Sequence, residues 1–227
     1  MNPAPSVIVF DVNETLSDMT PMAGRFVDIG APPELAKLWF ASLLRDGFAL
    51  AAAGSSESFS VLGEEGLRMV LAGASLNRGI DAAVDHVMAG FFSLPVHPDV
   101  PDGVRNLRAA GFRLVTLTNG STRVAEQLFS SAGLRAEFEQ LLSVEDAGTW
   151  KPAREAYEYA AQACGADVSE MLLVAVHPWD IDGAARAGLG TAWINRAGTA
   201  YPGYFAPPLH TVSALSDLVE ELRQAPG

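Results

Sequence analysis

Val7-Ile8-Val9-Phe10-Asp11-Val12-Asn13-Glu14-Thr15-Leu16 is the stretch on which the reading of the chain turns. Four consecutive apolar residues, three β-branched and one aromatic, follow a Pro-containing start. They have the length and composition of a strand buried on both faces. Asp11 stands at the carboxyl end of that strand. In an open parallel α/β sheet this end opens onto the ligand crevice, so a carboxylate held there by a rigid strand is placed to meet a substrate. An Asp that merely caps the following turn fits the stretch equally well. The residues downstream decide between the two.

Working outward, the composition sets bounds. With 227 residues, 49% of them hydrophobic and 19% charged, the chain is long enough for one well-buried domain and a smaller accessory one. A formal net charge of -12 and a pI near 4.6 disfavour nucleic acid or an anionic membrane as partner, since both repel such a protein at long range. An anionic substrate would need local positive charge. The single cysteine, Cys164, excludes an intramolecular disulfide, and its place on an apolar helix face suits packing better than reactivity. Residues 1–6 lack the basic and long apolar segments of a secretory signal, and no run approaches the roughly 18 apolar residues of a membrane span. A cytoplasmic protein is expected.

After the first strand, residues 19–93 lack convincing short strands and read as helical. Residues 34–45 place Leu35, Leu38, Trp39 and Leu43 at helical spacing, with Pro32-Pro33 before them and Gly47 as the stop signal. Residues 63–73 and 80–92 carry weaker patterns of the same kind. So long a gap between sheet strands points to an inserted helical subdomain. From Leu94 onward, strand-like and helix-like segments alternate, the sequence form of a parallel sheet. Strands are expected at 113–117, 141–144, 171–176 and 191–194. Helices are expected around Val104 and Leu107, around Val124, Leu128 and Phe129, at 156–164 and at 215–222. The fold class is α/β, a Rossmann-like parallel-sheet core of residues 1–18 and 94–227 with a helical cap of residues 19–93.

The polar residues now align with the strand ends. Asp11 and Thr15 follow the first strand, and Thr118-Asn119-Gly120-Ser121 follows the next. Lys151-Pro152 precedes a helix, and His177-Pro178-Trp179-Asp180 follows the strong strand. Each has an ordinary alternative as a cap, a solvated cation or a first-turn acid. Four segments delivering such groups to one sheet edge, in this order, make a site the better reading.

At these residues the chain resembles the haloacid dehalogenase superfamily, and within it the 2-haloacid dehalogenases that act on the L-enantiomer. Asp11 and Thr15 match the superfamily's Asp-x-x-x-Thr, Thr118 its second motif, Lys151 its third with Tyr157 six residues on, and Val176-His177-Pro178-Trp179-Asp180 its fourth. The resemblance implies a Rossmann-like core, a helical cap, and a nucleophilic Asp11 supported by Thr15, Thr118, Lys151, His177 and Asp180. It further implies a substrate pocket lined by Val12, Asn13, Phe40, Asn119, Tyr157 and Trp179.

Departures from the wider superfamily narrow the chemistry. Phosphatases of this type carry an acid two residues after the nucleophile, where this chain has Asn13, and an amide cannot protonate a leaving alkoxide. They bind magnesium through a carboxylate four residues before the Asp180 equivalent, where this chain has Val176, and an aliphatic group offers a hard cation no oxygen. A metal-free, cofactor-free dehalogenation of a small 2-haloacid is therefore expected, since a halide leaves without a proton. Phe40 stands where the dehalogenases carry an Arg that helps to bind the departing halide, and His177 where they more often have Asn. His177 is expected to orient or deprotonate water. The alternatives are another superfamily hydrolase, such as a phosphatase with rearranged acid and metal groups, or a binding protein on the same fold. A homodimer is compatible with the sequence but not read from it.

Overall fold

The computed structural model describes residues 5–224; the segment 1–4, read above for a leader, lies outside them. Strand β1 (Val7–Phe10) is followed by helices α1 (Met22–Asp28), α2 (Leu35–Ala52), α3 (Phe59–Leu71) and α4 (Ile80–Phe92), then α5 (Val100–Ala109) and β2 (Arg113–Thr118). The chain continues through α6 (Thr122–Ser131), β3 (Gln140–Ser143), the short α7 (Val144–Ala147), α8 (Arg154–Cys164), β4 (Met171–Ala175) and α9 (Pro178–Ala187). It closes with β5 (Gly190–Ile194), β6 (His210–Val212) and α10 (Leu218–Gln224).

The sheet order is β3-β2-β1-β4-β5-β6, with every neighbouring pair parallel. From β1 the chain builds one half of the sheet outward through β2 and β3, then returns to β4 and builds the other half. The crevice at the carboxyl ends of β1 and β4 is therefore the topological switch point, where open α/β sheets bind ligands. All four residues of β1 are fully buried. Val7 and Val9 pack on the side that includes α1–α4, α8 and α9, while Ile8 and Phe10 pack on the side of α5, α6 and α10. At roughly 1.5–3 kcal/mol per buried side chain of this size, β1 is a firmly held support for the residue that follows it.

Helices α1–α4 form the inserted helical layer, and its apolar interior is continuous with one face of the sheet. The two crossings between layer and sheet run side by side. Ser17 and Val96 form an antiparallel bridge, Asp18 N–H donates to the Pro95 carbonyl at 2.8 Å, and His97 N–H donates to the Leu16 carbonyl at 2.9 Å. Among the described residues no helix is long and apolar enough to cross a membrane.

Three local expectations are corrected. Gly47 does not stop its helix; α2 runs on to Ala52, and Gly47 lies against the indole of Trp150, where a Cβ would come within 2.4 Å of the ring. The glycine serves close packing here, not termination. Leu38, placed on the apolar side by spacing, is 53% exposed. Val144 does not end β3 but opens α7, because Ser143 caps that turn by accepting from Glu145 N–H.

Candidate active site

Asp11 lies one residue beyond β1, and its N–H donates to the Val174 carbonyl at 3.1 Å, so its backbone is still tied to the sheet. Lys151 Nζ donates to Asp11 Oδ1 at 2.9 Å and to Asp180 Oδ2 at 2.6 Å. Asp180 sits in the first turn of α9, where the helix dipole favours a carboxylate. Its other oxygen, Oδ1, accepts from the Tyr157 hydroxyl of α8 at 2.6 Å. The Thr15 hydroxyl donates to Asp11 Oδ2 at 2.6 Å and accepts from Val176 N–H at 3.1 Å, bridging the loop after β1 to the end of β4.

Lys151 and Asp180 are fully buried and Asp11 nearly so. Three charges out of water are tolerable only because each is paired and hydrogen-bonded. Burial alone would push the Lys151 ammonium down, but the carboxylates of Asp11 and Asp180 outweigh it and hold the lysine above its ordinary value. Burial pushes the Asp180 carboxyl up, against the opposing pull of Lys151. Burial, together with the neighbouring Asp180 charge, lifts the Tyr157 phenol well above its usual range, so it remains a donor. The site thus has a permanently charged lysine and a carboxylate of increased basicity.

The remaining candidates surround this core. Asn119 holds Lys151 by its backbone at both ends: its amide oxygen accepts from Lys151 N–H at 3.0 Å, and its NH2 donates to the Lys151 carbonyl at 3.3 Å. Thr118 Oγ1 accepts from Gly120 N–H at 3.0 Å, shaping the turn that presents Asn119. Val12 and Asn13 are buried and line a narrow gap closed on the other side by Phe91 and Phe92 of α4. The His177 ring stacks on Trp179 at 5.0 Å, and Trp179 meets Phe48 of α2 edge-on at 4.9 Å. Lys151 Nζ lies 5.9 Å from the centre of the Trp179 ring. Phe40 is drawn instead into the packing of the helical layer, with its ring against Trp39.

His177 Nε2 lies 3.1 Å from the Asn13 carbonyl oxygen. A carbonyl only accepts, so this nitrogen carries the proton, and it is not the lone pair that a general base requires. Residues not singled out in the sequence also enter the site. Trp150 stacks on Phe59 and donates its indole N–H to the Glu57 carbonyl at 2.9 Å, fastening the segment beside Lys151 to the helical layer. Its position directly before the lysine was the available signal. Phe48 carried none, because the face of a helix decides its part.

A carboxylate at the switch point of a parallel sheet, bridged by a buried lysine to a second carboxylate and overlain by a helical layer, defines a capped Rossmann-like hydrolase. Residues 5–188 match the family model of the haloacid dehalogenase-like hydrolases, and the chain belongs to that family. It is 32% identical to an (S)-2-haloacid dehalogenase of Pseudomonas sp. (strain YL), over 97% of this chain and 95% of that one. An (S)-2-haloacid dehalogenase of Pseudomonas putida is 29% identical, over 93% of each chain. The solved structure of an L-2-haloacid dehalogenase superposes with a TM-score of 0.90 at 28% identity, covering 97% of this chain and 99% of that one.

Proposed function

We propose that the protein hydrolyses small 2-haloacids to 2-hydroxy acids through an ester formed on Asp11. The observation that carries this reading is the buried Lys151, whose ammonium bridges Asp11 at the switch point of the sheet to Asp180. The likeness to the (S)-2-haloacid dehalogenases along nearly the whole chain supplies the substrate class. Residues 19–93 act as the cap, and residues 1–18 and 94–227 carry the chemistry.

In the first step an Asp11 oxygen attacks the halogen-bearing carbon from behind, forming a C–O bond as the C–X bond breaks, and halide departs with the electron pair. In the second, water attacks the Asp11 carbonyl carbon. Asp180, made more basic by burial, takes a proton from the water and returns it to the departing alkoxide of the hydroxy acid. The second water proton leaves for solvent, and Asp11 is restored as a carboxylate. Thr15 donates to the reacting carboxyl, Thr118 shapes the turn, and Asn119 keeps Lys151 in place. Val12, Asn13 and Trp179 bound the substrate space, while Tyr157 holds Asp180 and Phe40 packs within the helical layer. Asn13 and Val176 provide neither the acid nor the metal-binding carboxylate of the phosphatases, so halide release should survive exhaustive chelation.

The test is many turnovers of 2-chloropropionate in heavy-oxygen water, followed by mass spectrometry of the Asp11 peptide. Label in the Asp11 carboxylate is expected, because each cycle replaces one of its oxygens. Halide release without label would mean direct attack by water and would overturn the ester.

A further inference from the structure

Among the described residues Glu14 is the one non-glycine residue at positive φ, at 61°. Such a conformation is uncommon outside Gly, Asn and Asp and is retained where surrounding contacts impose it. Those contacts are on both sides. The Glu14 carbonyl accepts from His97 Nε2 at 3.0 Å, and the preceding carbonyl, that of Asn13, accepts from His177 Nε2 at 3.1 Å. Two histidines, one from each flank, therefore hold two successive peptide oxygens of the loop that follows Asp11.

The turn at Glu14 has a second effect. It brings the Glu14 carboxylate to 3.6 Å from His177 Nε2, on the nitrogen that also stands 3.6 Å from Asp11 Oδ2. These separations are beyond a hydrogen bond, but the three oxygens of Asn13, Asp11 and Glu14 that surround Nε2 are all acceptors. The ring cannot swing away, because Trp179 stacks on it and Phe48 backs Trp179. A proton-bearing nitrogen is thus held facing the Asp11 oxygen that already accepts from Thr15.

We propose that His177 acts in ester hydrolysis as an N–H donor to Asp11 Oδ2 as that oxygen becomes the oxyanion, with Glu14 the positioning residue that aims it. When water adds to the Asp11 carbonyl carbon, the C=O electron pair moves onto Oδ2. The Nε2–H, donated to the Asn13 carbonyl before reaction, becomes shared between that carbonyl and Oδ2, and with the Thr15 hydroxyl it shortens onto the oxyanion without transferring a proton. On collapse the pair returns, the bond from carbon to the alkoxide oxygen breaks, and the hydroxy acid leaves. Glu14 aims the ring by its carboxylate, which stands 3.6 Å from Nε2. His97 supports the turn at Glu14 from the second crossing.

The proposal rests on the covalent reading, and the experiment separates the two. Single-turnover reactions with 2-bromopropionate and excess enzyme are quenched over time, and halide and the Asp11 adduct are followed together. His177→Leu removes the donor, and halide release should change less than about threefold while adduct decay slows on the order of 10²–10³-fold. His177→Gln keeps a side-chain N–H but no basic nitrogen, and its decay should stay within about tenfold of the parent. Glu14→Gly accepts the positive φ without strain, so it should melt no lower than the parent yet lose adduct decay on the order of tenfold. Equal slowing in the Leu and Gln variants would make His177 a base and overturn the proposal, as would parent-like decay in Leu. Should the Leu variant not fold, parent-like decay in Glu14→Gly still overturns the positioning role. Turnover with neither adduct nor label in the parent enzyme would instead remove the ester itself.

Discussion

Lys151 concentrates the energetics of the site in one side chain. Its ammonium is fully buried and pairs with both Asp11 and Asp180. Lys151→Met would leave two buried carboxylates facing each other without a counter-charge. Breaking a buried pair in this way costs about 3–5 kcal/mol. The sign with pH follows from protonation. Without Lys151 the Asp180 carboxyl, already raised by burial, loses the pull that opposes the rise, so between its unfolded and folded values the folded state binds more protons than the unfolded state. Stability should then rise as pH falls from 7 toward 5, more steeply than in the parent enzyme, whose Asp180 is raised against the pull of Lys151. Urea midpoints at the two pH values measure it, and an identical slope in both proteins would contradict the account. Asp11 and Asp180 were singled out as polar residues after strands and Lys151 as one before a helix, and the structure brings the three together. The use of Tyr157 was not legible: its hydroxyl, expected to line a pocket, is committed to Asp180, and a sequence does not reveal which of two polar partners a side chain takes.

At the scale of elements, α4 was readable to the residue from its spacing, whereas α2 was cut short because a glycine looks like a stop wherever its neighbours are unknown. Gly47 shows what that glycine is for. It lets the helical layer approach Trp150, the residue before Lys151, with Trp150 also stacked on Phe59 and bonded to the Glu57 carbonyl. Gly47→Ala should gain about 0.8–1 kcal/mol in helix propensity. It should lose about 1–3 kcal/mol to overpacking against the indole. The net expectation is a lower melting temperature with kcat falling more than KM changes, because the displaced Trp150 carries Lys151 with it. A double-mutant cycle checks the cause: Trp150→Phe should cost less in the Gly47→Ala background than alone. Strictly additive effects would mean that the two positions do not interact.

Over the whole molecule, the parallel sheet and its inserted helices were legible because each strand is a short apolar run between glycine or proline signals. The sixth strand, β6, was not, since three residues with one buried side chain carry no periodicity. The strand order was likewise absent from local pattern; it arises from long-range pairing of β1 with both β2 and β4. Charge, by contrast, is a property of the chain as a whole. A formal net charge of -12 surrounds a site proposed to take a carboxylate substrate, with Phe40 packed among apolar side chains where an additional cation would have helped. Lys151 attracts the substrate only at short range, because Asp11 and Asp180 neutralise it. The long-range field should therefore repel the substrate, and screening should relieve that repulsion as the Debye length contracts from about 30 Å at 0.01 M to about 8 Å at 0.15 M. With a non-halide salt, kcat/KM for 2-chloropropionate should rise on the order of a few-fold over that range while kcat stays constant. Steady-state kinetics at saturating and sub-saturating substrate separate the two quantities. A fall in kcat/KM with salt would mean that the crevice mouth carries a positive field despite the overall charge, and binding would then have to be ascribed to cations outside the Asp11–Lys151–Asp180 triad.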